Sequence, residues 1–226
     1  MRLCGVIFDV DGTLVDSQAD ILAAMSGAFE AEGLAPPSKD AVLGIVGLSL
    51  DVAIPKLAPG SDHAACTRMV QGYKDAYASL RMQQGADVSS PLYAGAREAL
   101  SRLKEQDEIL LGVATGKSRR GLDKLIDAHG LAGTFLTQQV ADDHPSKPNP
   151  SMLLQAMRDL GVEASDTVMI GDTSFDMDMA RAAGAYFIGV SWGYHDGSRL
   201  SEADVVIDSF AQLDAALEMI WSKANG

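Results

Sequence analysis

Leu3 to Phe8 is an unbroken apolar run that stops abruptly at Asp9-Val10-Asp11-Gly12-Thr13. A short apolar run bounded by a turn reads as a strand buried on both faces. In an open α/β sheet, ligands bind just outside the carboxyl ends of the strands. The run therefore constrains both the fold class and the position of two carboxylates, Asp9 and Asp11. One Asp in a turn is explained by capping of backbone groups. Two of them flanking Val10 at a strand end, with Gly-Thr behind, are explained less well that way.

The same pattern recurs in the second half of the chain. Predicted strands cover Ile109–Thr115, Thr134–Gln138, Thr167–Ile170, Ala185–Val190 and Asp204–Ile207. Predicted helices cover Ala94–Gln106, Ser118–His129, Pro150–Leu160, Ser174–Ala183 and Phe210–Lys223. Alternating strands and helices call for a parallel sheet with helices on both faces. The first crossover breaks the rhythm, with roughly 75 residues where a βαβ connection needs only a dozen or more. Those residues read as helices. Ser17 caps one that carries Ile21, Leu22, Met25 and Phe29 and ends at Gly33, and Pro36-Pro37 breaks the chain before a short helix from Ser38. Gly44–Leu50 is a glycine-rich loop, and Asp51–Leu57 is a short helix. Asp62–Gln84 is a long amphipathic helix with Ala65, Met69, Tyr73, Ala76, Tyr77 and Leu80 on its apolar stripe. The expected architecture is α/β: a Rossmann-like three-layer core with a central parallel sheet, from residues 1–15 and 91–226, and an inserted all-helical cap domain, residues 16–90.

The chain has 226 residues, 47% hydrophobic and 22% charged, an ordinary globular balance. Eighteen basic against 31 acidic residues give a net charge of −13. That argues against a nucleic-acid or anionic membrane surface, whose affinity rests on Lys and Arg. A small anionic substrate stays compatible, because a metal ion and one or two lysines reverse the field inside a cleft. Cys4 and Cys66 belong to no metal-type cluster and read as buried thiols. No apolar run approaches the ~20 residues needed to span a bilayer. No signal peptide precedes the first strand, so a cytoplasmic location is expected.

Four places in the core bring polar groups to one rim of such a sheet: Asp9 with Asp11, Thr115 with Gly116, the Lys147 loop, and Asp172 with Asp176. Carboxylates gathered this closely resist ionisation unless a cation joins them. Mg²⁺ suits all-oxygen ligands and keeps room for waters and phosphate. A Thr hydroxyl, an unobstructed Gly N–H and a fixed lysine charge suit phosphoryl oxygens, and positioning with charge stabilisation is most of what phosphoryl transfer requires.

The stretches DVDGTLVDS (Asp9–Ser17), ATGK (Ala114–Lys117), SKPNP (Ser146–Pro150) and GDTSFD (Gly171–Asp176) resemble, in order, the four motifs of the haloacid dehalogenase-like hydrolase superfamily. The helical insertion between the first and second motifs is similar to the subfamily with a helical cap, and within it to phosphoglycolate phosphatase-like enzymes. The resemblance implies a Mg²⁺-dependent phosphatase that hydrolyses a small phosphorylated metabolite through an aspartyl-phosphate. It assigns Asp9 as nucleophile and Asp11 as general acid, then base. Thr115, Gly116 and Lys147 would bind the phosphoryl group. The metal would be held by Asp9, the Asp11 carbonyl and Asp172, with Asp176 either holding a metal-bound water or pairing with Lys147.

A phosphomutase resembling β-phosphoglucomutase is the alternative on the same scaffold. A dehalogenase or a phosphonate-cleaving relative is disfavoured by Asp11, and a phosphorylatable receiver by the insertion. Expected partners are a small phosphorylated substrate, with no nucleic acid and no membrane. The state is monomer or homodimer: Tyr73, Tyr77 and Leu80 face either the cap interior or a partner. Lys56 and Arg68 are cap cations, read as a solvated face or as contacts to a substrate carboxylate, and His144 lies near Lys147.

Overall fold

This computed structural model describes residues 2–224. Among them, β1 (Cys4–Phe8), β2 (Ile109–Thr115), β3 (Thr137–Val140), β4 (Thr167–Gly171), β5 (Tyr186–Val190) and β6 (Val205–Ile207) form one sheet. Its order is β3-β2-β1-β4-β5-β6, and every pairing is parallel. The chain winds outward from β1 through β2 to β3, then crosses back to β4 and winds the other way. The reversal lies between β1 and β4, where Phe8 pairs with Ile170. Such a switch point opens a crevice at the carboxyl ends of the two strands.

The helices are α1 (Gln18–Ala31), α2 (Lys39–Leu43), α3 (Leu50–Leu57), α4 (His63–Gln84), α5 (Ala86–Ser89), α6 (Ala96–Lys104), α7 (Arg119–Ala128), α8 (Ser151–Leu160), α9 (Ser174–Ala183) and α10 (Leu213–Ala224). Strand side chains alternate between two layers, as the pleat requires. Val6, Phe8, Val113, Val168 and Ile170 pack with Leu100 and Leu103 of α6, Leu122 of α7 and Leu217 of α10. Ile7, Ala114, Met169 and Phe187 face the other way, onto Met152 and Leu153 of α8 and Met179 of α9. The result is the expected three-layer α/β core.

The insertion carries its own core. Ile21, Met25 and Phe29 of α1 pack with Val42, Ile54, Met69 and Tyr77. The chain leaves and rejoins the sheet domain side by side, since Asp16 N–H donates to Pro91 O at 2.9 Å and Tyr93 N–H to Leu14 O at 2.9 Å. Tyr77 is buried and Tyr73 packs against the same cluster, and both also line the space between cap and core. Cys4 and Cys66 are buried free thiols. No described helix is long and apolar enough to cross a membrane.

Two local expectations are corrected. The third strand lies at Thr137–Val140, not Thr134–Gln138. Phe135 gives the earlier stretch its apolar look, but it anchors the connecting turn in the core, and pairing begins only when Leu136 N–H reaches Leu111 O at 2.8 Å. Ser17 precedes α1 as expected, yet its side chain makes no capping bond; its hydroxyl is given to Asp11 instead.

Candidate active site

β1 and β4 are neighbours, and Asp9 N–H continues their ladder to Ile170 O at 2.9 Å. That register sets Asp9 beside Asp172, which follows β4 directly. Asp176 joins them from the first turn of α9. The carboxylates of Asp9, Asp172 and Asp176 are all buried, with oxygens within 4.8 Å of one another.

Glycines make this approach possible. At Gly12, where φ is +86°, a Cβ would lie 2.3 Å from Asp172 Oδ2; at Gly171 it would meet the Asp176 side chain at 2.6 Å. Asp172 is then fixed at both oxygens: Thr13 Oγ1 donates to Oδ1 at 2.9 Å and Tyr194 N–H to Oδ2 at 2.8 Å. Asp176 forms a capping box with Thr173 at the start of α9, a position that also favours a negative charge.

Lys147 reaches into the cluster with a wholly buried side chain. Its Nζ lies 2.6 Å from Asp176 Oδ1 and 3.0 Å from Asp9 Oδ1. Burial works against its charge, but Asp176 and Asp9 outweigh it and hold Lys147 above the usual lysine value. Burial pushes Asp9 up to about 6; Lys147 opposes the shift, and Asp176 and Asp11 add to it. Burial, then Asp176 and Asp9, push Asp172 well above the usual carboxylate range. One lysine therefore does not neutralise three carboxylates, and Asp9 Oδ1 receives no aligned hydrogen bond. The site is short of positive charge and rich in hard oxygen donors, which fits Mg²⁺. Asp176 pairs with Lys147, the second of the two roles expected for it, while still lying in the acid cluster.

Asp11 faces elsewhere. Lys117 Nζ donates to its Oδ1 at 2.8 Å, and Ser17 Oγ donates to the same oxygen. Burial would raise the Asp11 pKa, but Lys117 and Ser17 outweigh burial and hold it below the usual value. Its carboxylate is thus ionised and outside the acid cluster. Thr115 ends β2, buried, with its Oγ1 accepting the Lys117 N–H at 3.2 Å. The hydroxyl proton is left free to donate. Gly116 lies under the cap: a Cβ there would be 2.6 Å from Gly47 O. Ser49 N–H also donates to Ser146 Oγ at 2.9 Å, and His195 Nε2 lies 3.3 Å from Gly44 O. The Gly44–Leu50 loop is therefore seated on the core beside Thr115 and Lys147.

The remaining sequence candidates lie outside this arrangement. Arg68 pairs with Glu32 on the exposed face, Lys56 is exposed, and His144 bonds to Ser151 and Gln139. Three contributors carried no assigned role in the sequence reading. Lys117 stands inside the quoted ATGK stretch, two residues past Thr115 on the same rim. Arg81 donates to Gly121 O and Ser90 Oγ and lies over the Tyr77 ring at 4.8 Å. Tyr194, just past β5, holds Asp172 by its backbone while its hydroxyl accepts Ser17 N–H at 2.9 Å. The end of β5 was a fifth strand terminus on the rim, and its Trp-Gly-Tyr-His run was the available signal.

Residues 6–190 match the family described as haloacid dehalogenase-like hydrolase. A probable phosphatase of Dickeya dadantii, IndB, is 36% identical over 216 residues, covering 93% of this chain and 92% of that protein. A phosphoglycolate phosphatase of Vibrio parahaemolyticus is 32% identical over 218 residues, covering 92% and 93%. Among solved structures, β-phosphoglucomutase of Clostridium difficile superposes with a TM-score of 0.83 over 99% of this chain and 98% of its own, at 21% identity, a likeness of fold alone. With the family matched across both the sheet and the cap, the chain belongs to the haloacid dehalogenase-like hydrolases.

Proposed function

We propose that this phosphatase hydrolyses a small phosphate monoester through an aspartyl-phosphate on Asp9, with Mg²⁺ as cofactor. The observation that carries the reading is the buried Asp9–Asp172–Asp176 cluster with Lys147 set between Asp9 and Asp176. Asp9, Asp172 and the Asp11 backbone carbonyl would hold the metal, with Asp176 fixing Lys147. When bound, the cation supplies charge to the phosphoryl oxygens and keeps Asp9 ionised at neutral pH.

Asp9 attacks phosphorus, and the bond to the leaving alcohol breaks. Lys147, the Thr115 hydroxyl and the Gly116 N–H receive the phosphoryl oxygens. Asp11 manages the leaving-group proton and then activates water. To act as acid it must first gain a proton and leave Lys117, so the ionised, Lys117-bound form is that of the base. Residues 16–90 form the cap, whose Gly44–Leu50 loop excludes bulk water from the aspartyl-phosphate.

Phosphoglycolate is the substrate named for several relatives and the first compound to assay. Phosphate release that needs Mg²⁺ and disappears in Asp9→Asn is the expected result. Release of equal rate from Asp9→Asn would overturn the covalent mechanism. The phosphomutase reading shares every core residue, and its solved relative supports the fold only.

A further inference from the structure

The loop after β5 links two carboxylates of the rim. It lies close against Asp172, since Gly193 has no side chain and Tyr194 N–H donates to Asp172 Oδ2 at 2.8 Å. The Tyr194 hydroxyl goes to Ser17, accepting its N–H at 2.9 Å and lying 3.3 Å from its Oγ. Ser17 is wholly buried and gives its own hydroxyl proton to Asp11. One residue therefore contacts Asp172 through its backbone and Asp11 through a single intervening serine.

Ser17 is held from outside its helix. Its side chain makes no capping bond to α1, and its φ of −105° and ψ of 12° lie away from the extended backbone usual at an N-cap. The loop that grips it is pinned in turn. Trp192 Nε1–H donates to Thr13 O at 3.1 Å, and His195 Nδ1 accepts Ser174 N–H at 3.1 Å. Lys117 and Ser17 share Asp11 Oδ1, but they hold it differently. An ammonium holds a carboxylate chiefly by charge and loses that hold when the acid gains a proton. A hydroxyl donates to a carboxyl oxygen in either state. Ser17 is thus the partner that can stay while Asp11 acts as acid.

We propose that the Tyr194 hydroxyl is a positioning group for the acid step: it sets Ser17, and Ser17 sets the Asp11 carboxyl for the leaving oxygen. The proposal rests on the aspartyl-phosphate reading. In that step the bond from Asp9 to phosphorus forms and the ester P–O bond breaks. The electron pair of the broken bond goes to the leaving oxygen, and so does the Asp11 proton.

Ethyl phosphate and 4-nitrophenyl phosphate separate this role from general damage. The first releases an alkoxide, which needs the proton; the second releases a stabilised phenolate, which leaves without it. With Mg²⁺, Tyr194→Phe should lower kcat/KM for ethyl phosphate about tenfold more than for 4-nitrophenyl phosphate, part of what a general acid contributes. Ser17→Ala should show the same selective loss, and Tyr194→Phe added to Ser17→Ala should change the ratio no further. Equal losses on both esters, or independent losses in the double variant, would overturn the proposal. If neither ester is hydrolysed in an Asp9-dependent way, the aspartyl-phosphate reading fails. Crystal structures of wild type and Tyr194→Phe then decide the positioning alone. A shifted Ser17 with its Asp11 contact broken supports it; an unmoved Ser17–Asp11 pair overturns it.

Discussion

Lys117 Nζ and Asp11 Oδ1 stand 2.8 Å apart, with both side chains largely buried. The pair joins the second strand's loop to the first strand's turn. It holds the proposed acid–base ionised and turned toward the cap. In Lys117→Met, burial would act on Asp11 with its main opponent gone, so its pKa should rise. The first step needs Asp11 protonated, so the alkaline limb of the kcat/KM profile should move to higher pH, with the rate at neutral pH rising. A pH–rate series on wild type and variant checks this, and an unmoved limb would separate Lys117 from the proton step. Asp11→Asn should cost about 10²–10⁴-fold in kcat.

Asp9→Asn should fold and bind phosphate yet turn nothing over. Its stability should also respond differently to pH. In the folded protein without metal, the Asp9 pKa is about 6, above its ordinary 3.8. A carboxyl so raised binds its proton more tightly when folded, so its contribution is present at low pH and lost as pH rises through about 6. In chelator, Tm of the wild type should therefore fall between about pH 4 and pH 6 more steeply than Tm of Asp9→Asn. Parallel curves would show that Asp9 titrates normally.

Chelator at neutral pH should lower Tm, and added Mg²⁺ should restore it by mass action on the folded state. The restoration should be lost in Asp172→Asn. A metal response of full size in that variant would move the site away from the acid cluster.

Lys147→Met leaves Asp9 and Asp176 buried without their counter-charge. Removing one partner of a buried pair costs about 3–5 kcal/mol. The loss should be partly recovered in Asp176→Asn/Lys147→Met, because one stranded carboxylate is then neutral. Denaturant unfolding of the two single variants and the double variant measures the coupling.

Gly193→Ala tests the cradle around Asp172. A Cβ at Gly193 would sit 2.0 Å from Asp172 Cβ, so either the strand-end loop or the carboxylate must move. A loss of about 1–3 kcal/mol is expected from such overpacking, together with weaker Mg²⁺ stabilisation. Wild-type metal response in Gly193→Ala would mean that the loop yields and Asp172 does not.

The strands and the rim residues were legible because strands covered on both faces must be continuous apolar runs. The polar residues that end them stand out against those runs. Asp9, Thr115 and Asp172 stand out this way, as does the place where the helical insertion leaves the sheet, whereas Lys147 lies in a polar loop and gains its expected role only from the resemblance of SKPNP. Chain order alone did not reveal that β1 lies between β2 and β4. That adjacency, set by packing of the whole sheet between two helical layers, puts Asp9 against Asp172. The Lys117–Asp11 pair, the Tyr194 bridge and the contact of Gly47 with Gly116 join residues far apart in sequence. Each of these residues has an ordinary local explanation as a solvated lysine, a loop tyrosine or a turn glycine. Only their convergence at one crevice gives them partners, and convergence is a property of the tertiary structure. The sequence by itself determined which atoms are available for chemistry. The folded sheet and its cap decided which of them meet, because burial and charge act through distance in space.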